Sequence, residues 1–232
     1  MRFSALNVVD VGSHLAGTEV VQEVRPPRLA EALVGTWERV GIPEVCQLDN
    51  HSNFRGGIPP AAAHFGPVVA TCLDLGVTPR FIPLSEPWRN GVVEHFNDVW
   101  DKSFFRTMRF TDLDHLRREA RGFEEFHNTH HRYAAHRGKS PLEVVTALDR
   151  RAPPGSCQIP TDLPLRGKVE VVRYTRSRRL VDLFGHQVTV APEHTYRYVV
   201  ATIWVPEAEV VVATRDGEII HQGRFPISRE PR

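Results

Sequence analysis

The 232-residue sequence predicts an α/β domain followed by a small all-β module. Three observations carry this expectation. Short apolar runs alternate with amphipathic helical patterns as far as about residue 147, which is how strands interleaved with helices read. Residues 150–164 are then rich in Pro, Gly and Ser. From Gly167 onward the helical period vanishes, and short β-rich runs follow one another between turn signals such as Asp216-Gly217. The expected layout is an α/β core over 1–150, a linker over 151–165, and a β-rich module over 166–232 that closes as a small barrel.

The elements follow in order. Ala5–Val11 reads as a strand, paired with Leu15–Val24 through the turn Gly12-Ser13-His14. Pro26-Pro27 opens a helix over 28–40, where Leu29, Ala32, Leu33, Trp37 and Val40 recur at helical spacing. Gly41-Ile42-Pro43 ends it, and Glu44–Asp49 follows as a short buried strand. After a Gly/Pro-rich loop over 53–60, a helix over 61–75 ends at Gly76, well suited to a left-handed C-cap. Thr78–Pro83 reads as an edge strand, because its prolines lack the N–H that a central ladder position needs. Val92–Phe105 and Asp112–Arg132 are predicted helices, the second with Leu113, Leu116, Ala120, Phe123 and Phe126 on one face. Ser140-Pro141-Leu142-Glu143 starts a last helix, with Ser as N-cap and Pro in the first turn.

Composition excludes some classes. With 41% hydrophobic and 25% charged residues the chain is ordinary for a soluble protein, and no run of apolar residues is long enough to span a membrane. The polar N-terminus carries no signal-peptide pattern. Cys46, Cys72 and Cys157 lack metal-ligand spacing and fit the reduced thiols of a cytoplasmic protein. A net charge of +1 says little about partners, so the distribution of charge has to be read.

Two carboxylates stand out. Asp49 ends the run Gln47-Leu48-Asp49-Asn50-His51, and Glu94 lies just inside the helix that follows Pro87-Trp88-Arg89-Asn90-Gly91. Acids delivered by a strand end and a helix start suit a Mg²⁺ site for phosphoryl transfer, since the ion takes oxygen ligands and shares them with phosphate. Alone, each also reads as a turn residue or a solvated helix acid.

In order along the chain, these segments resemble the retroviral-integrase-like (DDE) transposases and integrases of bacterial insertion sequences. Gln47–His51 stands where that family has Asp-Asn-Gly after a strand, and Pro87–Glu94 matches its Pro-x-x-Asn-Gly-x-x-Glu segment. Phe126–Tyr133 and Lys139–Glu143 look like its later Tyr-Asn-x-x-Arg-Pro-His and Ser-Pro stretches, so the likeness covers about residues 5–147. The resemblance implies a ribonuclease-H-like mixed sheet with flanking helices and an appended small β-barrel. It also implies DNA transposition or integration by metal-dependent nicking and strand transfer. Asp49 and Glu94 would be catalytic acids and metal ligands, two Mg²⁺ or Mn²⁺ ions the cofactors of a complete site, and element ends and target DNA the partners of a homo-oligomeric parent.

Departures from the family pattern qualify this. The first catalytic Asp of the family lies one strand before a hairpin like Leu6–Ser13, so Asp10 falls where many members carry a non-catalytic Asp. The expectation is an N-terminally truncated core lacking its first strand and inactive as this fragment, with a non-enzymatic DNA-binding remnant as the alternative. His51 also replaces the family glycine.

Basic residues supply a second constellation. Lys168, Arg173, Arg176, Arg178 and Arg179, together with Arg89 and Asn90 beside Glu94, are the expected DNA contacts. Trp88 is open to two readings, stacking on an unpaired base or packing against the sheet. His127, His130 and His131 lack the partner cysteines of a common zinc site and read as a polar cluster at a helix end.

Overall fold

The computed structural model describes residues 3–56, 65–145, 150–155 and 157–227. Strand β1 (Ser4–Val9) pairs antiparallel with β2 (Ala16–Val21), and helix α1 (Pro26–Val40) follows. Next come β3 (Val45–Leu48), the single turn α2 (Ser52–Arg55), α3 (Pro67–Asp74) and β4 (Thr78–Phe81). A 3₁₀ turn at Pro87–Asn90 runs into α4 (Gly91–Trp100), which continues as a π-helical turn over Asp101–Phe105. Helices α5 (Leu113–His130) and α6 (Pro141–Val145) precede β5 (Lys168–Tyr174), β6 (Leu180–Leu183), β7 (His186–Thr189), β8 (Tyr198–Trp204), β9 (Glu209–Thr214) and β10 (Ile219–Arg224). No helix among the described residues is long and apolar enough to cross a membrane.

The chain divides into two compact units, one of residues 1–43 with 91–157 and one of 44–90 with 158–232. In the first, the β1–β2 hairpin packs against helices. Ala16 and Val20 of β2 meet Phe96 and Trp100 of α4, Phe104, and Leu116 and Ala120 of α5 in one apolar core. Gly17 lets α1 approach β2 closely, because a Cβ there would stand 3.1 Å from both Thr36 and Val40. The predicted start of α6 is a capping box: Ser140 Oγ accepts from the Glu143 amide, and the Glu143 carboxylate accepts from the Ser140 amide. One side chain departs from expectation. Phe126 is exposed and stacks on His130, while Glu124 and His127 turn inward.

The second unit holds a six-stranded mixed sheet of order β10-β9-β8-β5-β4-β3. β3, β4 and β5 run parallel, while β5, β8, β9 and β10 pair antiparallel. Its core face is a row of fully buried residues, Val169, Val171, Val199, Ala201, Ile203, Val210 and Val212. Two expectations change here. The β-rich runs form no closed barrel among the described residues: β5 pairs with β4, so these strands extend an open sheet, with β6 and β7 a separate hairpin. β4 is also not an edge strand. Its ladder with β5 is confined to Arg80↔Glu170 and Phe81↔Val171, past Pro79, so the missing proline N–H costs that ladder nothing. The predicted helix over 61–75 is seen as Pro67–Asp74, closed by Gly76 at φ 70°; its expected start at Ala61 lies outside the described residues.

Candidate acidic site and nucleic-acid interface

Asp49 stands at the C-terminal end of β3, exposed, its Oδ1 accepting from the His51 amide at 2.8 Å. That hydrogen bond is an Asx-type turn, and the other carboxylate oxygen has no hydrogen bond among the described residues. Asn50 acts as a clamp beside it. Its Nδ2 donates to the Ile82 carbonyl at 2.6 Å, and its Oδ1 accepts from Arg173 Nη2 at 3.1 Å. Gln47, two residues before Asp49, donates from Nε2 to the Arg89 carbonyl at 2.9 Å and to Asn90 Oδ1 at 2.8 Å. Gln47–Asn50 and Pro87–Asn90, far apart in sequence, are therefore joined by direct hydrogen bonds within the second unit.

Glu94 belongs to the first unit, in the opening turn of α4. It is exposed, and its carboxylate has no hydrogen bond or ion pair among the described residues. Pro87–Glu94 thus passes from one unit to the other at Asn90–Gly91. Both acids are oxygen donors without an ion pair among the described residues, a donor chemistry suited to a hard divalent ion. Among the described residues no three His, Cys, Asp or Glu side chains form a ready-made metal cluster. Asp10 is otherwise engaged, because its Oδ2 accepts from both the amide and the hydroxyl of Ser13 and closes the β1–β2 turn.

The basic residues divide into two groups. Arg173, enrolled by the sequence as a DNA contact, is instead buried: it donates to the carbonyls of Asp182, Ile82 and Val172 as well as to Asn50. Burial lowers its pKa to about 10. Its place in a run of basic residues concealed this, because strand alternation turns residue 173 to the core face with Val169 and Val171. Lys168 pairs with Glu170 at 2.7 Å and lies over the Trp204 ring. Arg176, Arg178 and Arg179 are exposed and form no ion pair among the described residues. Arg89 pairs with Glu86 at 2.7 Å and lies 4.3 Å over the Tyr198 ring.

Sequence reading missed two polar networks of the first unit. In one, the buried Glu124 carboxylate accepts from the Thr18 amide at 2.7 Å and from Arg39 Nε at 2.6 Å, with Glu19 and Arg121 completing the set. Burial raises the Glu124 pKa, against the pull of Thr18 and Arg39. The helical spacing of Leu116, Ala120 and Glu124 could have placed Glu124 on the buried face. In the other, His14 Nδ1 lies 2.7 Å from His136 Nε2, and its ring stacks on Tyr133 at 4.1 Å. His127, only 2% exposed, sits behind them with Nε2 3.3 Å from the His14 carbonyl and its ring stacked on His131.

Burial lowers the His127 pKa to about 4, and His131, His14 and His95 push the same way against the His14 carbonyl. The folded protein thus binds this proton more weakly than the unfolded chain does. The stability it contributes is complete above an unfolded pKa of about 6.5 and is lost as pH falls toward 4, an effect of about 3 kcal/mol. Urea midpoints measured between pH 7.5 and 4.5 should fall steeply for the native chain and less for His127→Leu. Identical slopes for the two would contradict this.

No family model matches the chain, and no curated protein matches it. Among solved structures it is similar to a chain of the cryo-electron-microscopy structure of the simian T-cell lymphotropic virus intasome in complex with PP2A regulatory subunit B56 gamma. The identity is 12% and the TM-score 0.51, over 99% of this chain and 73% of that one. At that identity the likeness speaks for the fold: a mixed α/β chain with a six-stranded mixed sheet, similar in architecture to a chain of that complex.

Proposed function

We propose that this protein acts on DNA in integration or transposition chemistry, with Asp49 and Glu94 as its divalent-metal ligands. The observation that carries the reading is the Gln47 amide bonded to Arg89 and Asn90, which brings the Asp49 strand end against the loop leading to Glu94. Fold likeness to a chain of the intasome complex supports it. Mg²⁺ or Mn²⁺ held by these acids would supply charge neutralisation at a phosphate, the dominant need of phosphoryl transfer. Asn50 and Arg173 position Asp49, and Gln47 fixes the loop whose Asn90 precedes the helix of Glu94. The exposed arginines give sequence-independent, salt-sensitive contacts to the phosphate backbone.

A second reading is a DNA-binding protein without robust strand transfer. One observation favours it: Asp10, the acid that precedes Asp49 and Glu94 in the chain, is committed to the hairpin turn. Filter binding to duplex DNA, followed by a Mn²⁺-dependent nicking and strand-transfer assay, separates the readings. Steeply salt-dependent binding with little strand transfer is the expected result for this chain. Robust strand transfer would show that more than these two acids serves catalysis. Absence of DNA binding at low salt would contradict both readings.

A further inference from the structure

One surface of the second unit combines exposed aromatic rings with unpaired arginines. Tyr174 and Tyr198 are cross-strand partners on the outer face of β5 and β8, their centroids 4.9 Å apart. Arg89 caps the Tyr198 ring at 4.3 Å, Arg176 lies 5.9 Å over Tyr174, and the Tyr198 hydroxyl donates to Glu86 at 3.0 Å. The result is a row of guanidinium, ring, ring and guanidinium, held rigid by the sheet. Two large exposed rings adjoin it in sequence: Trp88, next to Arg89, is 64% exposed, and Tyr196, two residues before Tyr198, is 65% exposed.

The surrounding charge is mainly positive. Arg178, Arg179 and Arg197 are exposed and make no ion pair among the described residues, while Glu86 and Glu193 are the acids nearest in sequence to Arg89 and Tyr196. Arg179 and Tyr196 both hold the left-handed backbone conformation, at φ 57° and 56°, which side chains other than glycine rarely adopt. Such residues persist where the surrounding structure fixes them, and they gather at ligand-contacting positions.

We propose that this surface binds an unpaired DNA strand: Trp88 and Tyr196 stack on bases, and the arginines follow the phosphates. A base has an aromatic face whatever its identity, so free rings among free guanidinium groups suit single strands without sequence preference. A duplex offers its phosphates but not its base faces. The inference rests on the proposed action on DNA and adds the form of DNA that is held.

The test is fluorescence anisotropy with a labelled oligothymidylate and a duplex of equal length, on the full chain and on Trp88→Ala and Tyr196→Ala. Both side chains are exposed, so unchanged far-UV circular dichroism is expected of each variant. The single strand should bind more tightly than the duplex, and each variant should weaken single-strand binding about tenfold while leaving duplex binding unchanged. Intrinsic fluorescence should be quenched by the oligothymidylate, and Trp88→Phe should remove more of the quenching than Trp204→Phe, since Trp37 and Trp100 are buried and Trp204, 41% exposed, is the other ring open to solvent. Duplex binding with no single-strand preference and no effect of either variant would overturn the inference and spare the proposed function. Failure to bind either DNA would overturn both.

Discussion

An Arg39→Met variant should lose about 3–5 kcal/mol of unfolding free energy. Glu124 has 7% of its side chain exposed and keeps its charge through Arg39, which contacts both of its oxygens, and through the Thr18 amide. Methionine retains much of the apolar stem and removes the guanidinium, leaving a buried carboxylate with the Thr18 amide and the longer Arg121 contact at 3.4 Å. The cost is the penalty of an uncompensated buried charge, which exceeds the net worth of the pair itself. Glu124→Gln in the same background should recover part of the loss, because the neutral amide no longer needs the cation. Urea unfolding of the two single variants and the double variant measures this. A loss under about 1 kcal/mol for Arg39→Met would mean that the network is solvated like an ordinary surface pair.

Arg173→Met is the second large effect, at about 3 kcal/mol or more. Its guanidinium donates to the Asp182 carbonyl and to Asn50 Oδ1, and is a second donor to the Ile82 carbonyl, which keeps Asn50 Nδ2. Each buried acceptor left without a donor costs about 1–3 kcal/mol. Arg178→Ala, on the exposed turn, should stay within about 0.5 kcal/mol of the native chain. The contrast separates a structural arginine from a surface one within the same basic run. Equal effects of the two substitutions would contradict the division.

Much of the fold could be read from the chain because its signals are local. The β1–β2 hairpin, the capping box at Ser140 and the glycine stop at Gly76 depend on residues a few positions apart. What escaped depends on pairing at a distance. Prolines marked β4 as an edge strand, yet nothing local tells how far along a strand its neighbour's ladder extends. The β-rich runs were found as strands, but whether they close on themselves or join β4 is a long-range choice. Arg173 and Glu124 were missed as interior residues because charge argues for the surface, while helical and strand periodicity argue for the core. Here periodicity prevailed because each group finds several hydrogen-bond partners. Of the candidate site, Asp49, Asn90 and Glu94 were legible as a motif. The Gln47 and Asn50 hydrogen bonds that organise it were not, since an amide side chain gives no sign of its partners.

Calorimetric titration with Mn²⁺ reads the proposed ligands Asp49 and Glu94 without requiring turnover. Asp49 and Glu94 are both exposed, so Asp49→Asn and Glu94→Gln should leave the fold intact. Saturable binding by the native chain, weakened about tenfold or more in each variant, is the predicted result. Binding of equal strength in all three proteins, or none in the native chain, would remove Asp49 and Glu94 as metal ligands.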